Sequence, residues 1–100
     1  MPTILKIISH ELVNKDYLRL NVVSGIQSCG SIDIMYGKIN FNIGGKYFFK
    51  GMEFIKNVEL EYKGEQLVFL FRNGRNLAIN CTKEEFSTIS KHKDLGNKCF

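Results

Sequence analysis

The chain has 100 residues, which is enough for one domain and leaves little room for a second. Apolar residues make up 44% of it, so a core can form, while one proline and nine glycines exclude collagen-like and proline-rich classes. The net charge of +4 is a moderate basic excess that by itself selects no class of partner. No motif identifies an activity, so we infer the function by excluding the classes of protein that the sequence does not fit.

The N-terminal segment does not have the pattern of a secretory signal. Such a signal needs an unbroken apolar run of about 7–15 residues, and here Lys6 divides the apolar stretch before Ser9. The cysteines, Cys29, Cys81 and Cys99, are odd in number and form no CxxC pair, which favours reduced thiols. We therefore expect a cytoplasmic protein with no membrane association.

Two-residue alternation of apolar and polar side chains, the period of a half-buried strand, runs through most of the chain. Residues 66–71 are instead apolar on both faces, as expected for a strand that is covered on both sides. Residues 46–55 are aromatic on both faces and contain Gly51, which predicts one long bent strand or two short ones. The alternating segments are 17–22, 32–36, 38–43 and 58–63, and 3–13 is interpreted as a strand although its apolar spacing also fits a helix.

A first hairpin is predicted around residues 63–64. A two-residue turn there places Leu60 opposite Leu67, so that apolar side chains meet on one face of the sheet. Because the faces on the two sides of the turn agree, we predict that the flanking segments are adjacent antiparallel strands.

A second hairpin is predicted directly afterwards, around residues 72–74. A three-residue loop with Gly74 in a bulge pairs Phe69 with Leu77 on the apolar face. A two-residue turn would instead set apolar residues against polar ones. Since a slip of one residue inverts every side chain, the pattern favours the three-residue loop.

One helix is predicted near the C-terminus. Thr82 and Glu85 have the spacing of a capping box, in which the threonine hydroxyl caps the glutamate amide and the glutamate side chain reaches back. Phe86 and Ile89 then share a helical face and can close the core. Residues 92–100 are largely polar, and we expect them to form a mobile tail.

About seven to nine short strands and one short C-terminal helix predict an all-β, mainly antiparallel fold, a meander that forms a sandwich or a small barrel. No repeat or linker divides the chain, so we expect a single β-rich domain over residues 1–100. The order of elements is similar to that of pleckstrin-homology-like barrels, a resemblance that rests on order alone.

Residues that could carry catalysis or hold a metal are sparse. No cysteine or histidine lies at ligand spacing from another, which argues against a zinc site. Cys29 lies in a glycine-flanked loop and could pair with His10 or His92 as a nucleophile, but loop composition explains it equally well. We therefore expect no enzymatic activity, no catalytic residues, no cofactor and no metal.

Binding of single-stranded nucleic acid is one of two functions that remain open. Residues 46–56 interleave lysines with aromatic residues, as sheets that bind single strands do, although aromatics on both faces of a strand more often belong to a core. The net charge is also modest for such a module. The residues expected to carry this alternative are Lys46, Tyr47, Lys50, Lys56 and Arg72.

A protein-binding module is the leading hypothesis. A compact β protein without visible catalytic residues can act by presenting a preformed surface, and we expect an inhibitor or immunity-type protein that occludes a bacterial or phage partner protein. Tyrosine, methionine and arginine are enriched at protein interfaces, and lysines can meet an acidic surface. The expected contact residues are Tyr17, Arg19, Met35, Arg72, Arg75, Lys91 and Lys93.

Overall fold

The computed structural model describes residues 5–14, 16–35 and 37–98, and the side chains of all of these except 56 and 92–98. Within these residues eight strands precede one helix, and a 3-10 turn, Ile55–Asn57, separates the fifth strand from the sixth. The prediction of a mostly β fold with seven to nine strands and a C-terminal helix is confirmed. The elements are β1 (Leu5–Val13), β2 (Tyr17–Ser24), β3 (Gln27–Met35), β4 (Lys38–Ile43), β5 (Phe49–Phe54), β6 (Val58–Lys63), β7 (Gln66–Phe71), β8 (Asn76–Asn80) and α1 (Lys83–Lys98).

The eight strands form one mixed sheet in the order β5-β4-β3-β2-β1-β8-β7-β6. Strands β1 to β5 form one antiparallel meander, and β6 to β8 form another. The two meanders are joined by β1 and β8, which run parallel and pair Leu5 with Ile79 and Lys6 with Asn80. This parallel contact is the one exception, within the described residues, to the antiparallel pairing that the sequence predicts.

The sheet is strongly curled, because its two edge strands are close neighbours in the chain. β5 and β6 lie at opposite ends of the strand order, yet only Ile55–Asn57 separates them. A flat sheet of this size would hold its edges about 34 Å apart at ~4.8 Å per strand, whereas the chain from Phe54 to Val58 reaches at most about 14 Å. The rings of Phe41 on β4 and Phe69 on β7 meet across the interior, with centroids 5.4 Å apart.

β5 and β6 run in the same direction although they occupy opposite edges. The antiparallel pairings give β5 the direction of β1, and the parallel contact between β1 and β8 gives β6 that direction too. The chain therefore passes from one edge of the sheet to the other at Ile55–Asn57, and β6 runs in the same direction as β5. Gly51, where the sequence predicts a bend or a break, has φ at 110° and stays paired with Phe41, and the ladder ends at Phe54.

One core lies inside the curl and contains the side chains that alternation predicts to point inward. Burying one such aliphatic or aromatic side chain stabilises the fold by about 1.5–3 kcal/mol. The buried apolar residues of the strands are Leu5, Ile7, Leu18, Leu20, Val22, Ile32, Ile34, Ile39, Phe41, Ile43, Val58, Leu67, Phe69, Leu77 and Ile79.

The helix α1 follows the predicted capping box. The Glu85 N–H donates to the Thr82 hydroxyl at 3.1 Å, and the Thr82 N–H donates to the Glu85 carboxylate at 2.9 Å. Ile89 is buried, and Phe86 stacks on Tyr62 of β6 with ring centroids 4.9 Å apart. The helix therefore closes the core where it packs beside β2 and β3.

The backbone of α1 is helical as far as Lys98, and the mobility of residues 92–100 stays a prediction. Lys91, one of the expected contact residues, is exposed on α1, while the side chain of Lys93 lies outside the described residues. In the part of the chain that the structure describes, no helix combines the length and apolar character needed to cross a membrane.

The predicted registers of the two hairpins have different outcomes. The second is confirmed, since Phe69 pairs with Leu77. The first is wrong by two residues, because Leu60 pairs with Phe69 and the turn is formed by Gly64 and Glu65. Both turn residues have positive φ, at 60° and 61°, as a two-residue type I′ turn requires.

Candidate binding surfaces

The expected contact residues fall on separate surfaces. Tyr17, Arg19 and Met35 lie together on the outer face of β2 and β3, where Tyr17 pairs directly with Met35. Arg72 and Arg75 lie in the connection between β7 and β8. The structure thus divides the predicted set into a sheet-face group, a loop group and Lys91 on α1.

A first row of side chains crosses the outer face of the sheet from β2 to β5. Tyr17 pairs with Met35, Met35 pairs with Lys38, and Lys38 pairs with Phe54. Tyr17 and Met35 are partly buried, whereas 53% of Phe54 is exposed. Because directly paired residues of a sheet point to the same face, these four side chains form a continuous strip that is largely apolar.

A second row runs beside the first and contains, on each strand, the residue two positions away from the one in the first row. Arg19 pairs with Asp33, Asp33 with Asn40, and Asn40 with Met52, which is 57% exposed. The two rows together join an arginine to two methionines and two aromatic rings. The outer-face patch is defined as Tyr17, Arg19, Met35, Met52 and Phe54.

Arg19 is held in place by two neighbours on this face. Its Nε donates to Oδ1 of Asp33 at 2.9 Å, and its Nη2 donates to Oδ2 of Asp33 at 3.3 Å and to the Tyr17 hydroxyl at 3.0 Å. The hydrogen bond to Asp33 and the charge of that carboxylate raise the pKa of Arg19. Only 8% of Asp33 is exposed, so the ion pair fixes the guanidinium at the edge of the patch.

Sequence reasoning missed Asp33, Met52 and Phe54 as part of this surface. Alternation placed Asp33 outward, but it did not reveal that Arg19 lies directly opposite. That register depends on a bulge in which Val22 pairs with Gly30 and the next residue of β2 pairs two positions earlier in β3. The signal that the sequence did contain was the presence of two outward-pointing apolar residues, Met52 and Phe54, in the short strand β5.

A second surface lies where three strand connections share one end of the sheet. Because β3, β5 and β8 run in the same direction, the β2–β3, β4–β5 and β7–β8 connections that lead into them lie at the same end, and we call residues 25–26, 44–48 and 72–75 the loop end. These segments contain Lys46 and two arginines and neither aspartate nor glutamate. A cavity of about 570 Å³ lies between the β2–β3 connection and the β4–β5 connection.

Arg75 joins two of these connections. Its Nη2 donates to the backbone oxygen of Tyr47 at 3.1 Å, and its guanidinium lies 4.2 Å from the centroid of the Phe49 ring. Phe49 stacks on Phe71 at 5.2 Å, and Phe71 contacts Phe41 at 5.0 Å. The cation is therefore attached to an aromatic cluster that continues into the core.

A cavity of about 260 Å³ opens beside this cluster. Phe48 lies at its rim with 62% of the side chain exposed and with φ at 35°, a conformation that a non-glycine residue rarely adopts. The Nζ of Lys50 lies 6.0 Å from the centroid of the Phe48 ring. The walls are formed by Phe41, Phe48, Phe49, Lys50, Glu53, Phe71, Asn73 and Arg75.

The two described cysteines are both free thiols in different surroundings. Cys81 is buried, as predicted, and its burial together with the charge of Glu85 raises the pKa of the thiol to about 11. Cys29 is partly exposed in the bulge of β3, with its Sγ 3.7 Å from the backbone oxygen of Gln27. A high pKa makes a poor nucleophile, so Cys81 has the character of a packing residue.

No protein-family model, curated protein or solved structure matches the chain. The similarity to pleckstrin-homology-like barrels accordingly remains one of element order. The outer-face patch and the loop end are the features from which a function can be inferred.

Proposed function

We propose that the protein is a small protein-binding module, of inhibitor or immunity type, that occludes a bacterial or phage partner protein with its outer-face patch. The observation that carries the proposal is the placement of Arg19, fixed by Asp33 and Tyr17, beside the exposed side chains of Met52 and Phe54. The chain itself performs no reaction in this proposal.

The chemistry of the patch supports a protein partner. Tyrosine, phenylalanine, methionine and arginine are the residue types enriched in the centres of protein interfaces. The guanidinium of Arg19 is already oriented by hydrogen bonds, so less side-chain freedom is lost when a partner binds it. The rigid sheet beneath the patch holds the other side chains at fixed spacing.

The outer-face patch is smaller than the surface that a standard protein complex buries on each partner. Four strands at ~4.8 Å spacing give a width of about 14 Å, while a standard complex buries about 800 Å² on each partner. The patch is therefore the centre of the interface, with Lys38 and Asn40 of β4 lying between its residues on β3 and those on β5.

The proposal includes a cytoplasmic setting. The thiols of Cys29 and Cys81 are unpaired, which is the usual state of cysteines in a reducing compartment. An inhibitor of an intracellular enzyme or toxin would meet its partner there.

The test begins with affinity capture from cells that carry the gene, using the immobilised full chain. We expect one stoichiometric protein, which is then purified and titrated calorimetrically against the wild type and Phe54→Ala. Removing an exposed aromatic from the centre of an interface costs roughly 2 kcal/mol, or about 30-fold in Kd. Arg19→Ala is expected to weaken binding by a similar factor, because it removes the oriented guanidinium from the interface.

Ile26→Ala is the matched control, since Ile26 is a fully exposed apolar residue at the loop end, away from the patch. It is expected to bind the captured protein with the wild-type Kd. Equal binding by Phe54→Ala and Ile26→Ala would contradict the proposal, as would the absence of any stoichiometric partner for the wild type.

A further inference from the structure

The charge of the loop end is of one sign. Lys46, Arg72 and Arg75 lie in its connections, and Lys50 follows at the start of β5. Tyr47 and Phe49 lie between Lys46 and Lys50 in the chain, and the Nζ of Lys46 lies 5.6 Å from the centroid of the Tyr47 ring. Cations held beside aromatic rings are the arrangement with which proteins follow a phosphate backbone and stack on its bases.

The aromatic cavity beside these cations has the size of a single base. A cavity of about 150 Å³ is enough to hold one benzene ring, so a volume of about 260 Å³ leaves room for a base of one or two rings. The exposed ring of Phe48 lies at the rim, where a neighbouring base can stack on it.

From these observations we infer that the loop end binds single-stranded nucleic acid, with one base in the aromatic cavity and the backbone phosphates beside Lys46, Lys50 and Arg75. This surface is separate from the outer-face patch, so the inference does not depend on the proposed function. The inference gives a function to the basic residues that lie at this end of the sheet.

Glu53 decides which part of a nucleotide enters the cavity. A carboxylate in the wall repels a phosphate, but it accepts a hydrogen bond from the exocyclic amino group of cytosine. The base therefore points inward and the phosphates stay outside, near the lysines. Thymine has no amino group, so a strand of cytosines is expected to bind more tightly than a strand of thymines.

A single strand fits this geometry better than a duplex. Bases of a duplex are stacked and paired, and their edges would not reach a cavity enclosed by Phe48 and Phe49. A protein partner is the other class of macromolecule to consider. An acidic protein surface could match the cations, but it would leave the cavity without a planar group.

The test is fluorescence anisotropy with labelled 12-nucleotide strands of cytosine or thymine, as DNA and as RNA, and with a duplex DNA of equal length. Three to four phosphate contacts predict that affinity falls roughly 20- to 50-fold between 50 and 200 mM salt. Phe48→Ala is expected to weaken binding about 5- to 150-fold through lost stacking. Lys50→Ala is expected to reduce the salt slope by about 0.7.

Two matched variants control for general effects. Lys91→Ala removes an exposed cation on α1, and Phe54→Ala removes an exposed aromatic from the outer-face patch. Both are expected to keep the wild-type affinity for the strands. Thermal melts followed by circular dichroism verify that each variant is folded, and Lys50→Ala is the test variant if Phe48→Ala does not fold.

Each outcome supports or contradicts the inference. Tighter binding of RNA than of DNA, or the reverse, identifies the natural strand and supports it equally. Absence of binding at 50 mM salt, equal binding of duplex and single strand, or equal losses in Phe48→Ala and Phe54→Ala would overturn it. Loss of the preference for cytosine in Glu53→Gln, with binding of thymine unchanged, would support the orientation of the base.

Discussion

Gly30 is the position at which a single methyl group is expected to be most damaging. It lies in the bulge of β3 with φ at 142°, and a Cβ built there would lie 1.9 Å from the backbone oxygen of Asn42 on β4. Backbone atoms of a central strand cannot move aside as a flexible side chain can. Gly30→Ala therefore has to separate β3 from β4 or change the conformation of the bulge.

The magnitude follows from two costs. A non-glycine residue in a conformation reserved for glycine loses about 1–3 kcal/mol, and the steric overlap in a packed region adds about 1–3 kcal/mol. Together they lower the free energy of unfolding by about 4 kcal/mol, which is a large part of the 5–15 kcal/mol that a domain typically has. At about 4–8 °C per kcal/mol for a chain of this size, Tm falls by roughly 15–30 °C.

The assay is urea denaturation followed by far-UV circular dichroism, with Gly25→Ala as the matched control. Gly25 also has positive φ, at 62°, but nothing lies within 4 Å of a Cβ built on it. That variant is expected to lose only about 1 kcal/mol, from the left-handed conformation of alanine. If Gly30→Ala loses no more than Gly25→Ala, the contact with Asn42 relaxes easily and the reasoning fails.

Two further predictions concern the chemistry of the thiols and the start of α1. Because burial raises the pKa of Cys81 to about 11 from an ordinary value of 9.0, its thiolate fraction at pH 8 is expected to be about 100-fold lower in the folded than in the unfolded chain. Iodoacetamide alkylation measured by peptide mass spectrometry, with and without denaturant, checks this, and equal rates would contradict it. Thr82→Ala is expected to cost about 1 kcal/mol by removing the cap on Glu85, whereas Thr88→Ala, which removes only a hydroxyl bonded to the backbone within the helix, is expected to be close to neutral. Thermal melts compare the two variants, and equal losses would show that the cap contributes little.

Alternation of side chains located β2, β3, β4 and β6 because each of these strands has one face on the core. Leu18, Leu20 and Val22 are buried as their spacing predicts, and so are Leu77 and Ile79 on the last strand. The capping box was equally readable, since both of its hydrogen bonds are local in the chain. These features depend on neighbours in sequence, and a sequence pattern contains that information.

Register was only partly predictable. A slip of one residue turns apolar side chains to solvent, so alternation selected the correct pairing of Phe69 with Leu77. A slip of two residues changes no face, and the first hairpin was placed wrongly for that reason. The actual turn needs Glu65 at φ 61°, and a glutamate gives no compositional sign that it adopts such a conformation.

The binding surfaces were the least predictable part. Tyr17, Arg19 and Met35 were proposed from residue type, yet what makes them a site is Asp33 beneath Arg19 and Phe54 two strands away from Met35. Those neighbours depend on the pairing of four strands. Alternation within one strand cannot specify which residue of the next strand lies opposite.

The short parallel contact between β1 and β8 has a consequence for the order of folding. All the other ladders among the described residues join strands that follow one another in the chain, whereas this one links Leu5 to Ile79. Local hairpins close with little loss of chain entropy, and a contact across most of the chain comes late. During synthesis the β1 edge of the first meander therefore stays open to other chains until β8 has left the ribosome.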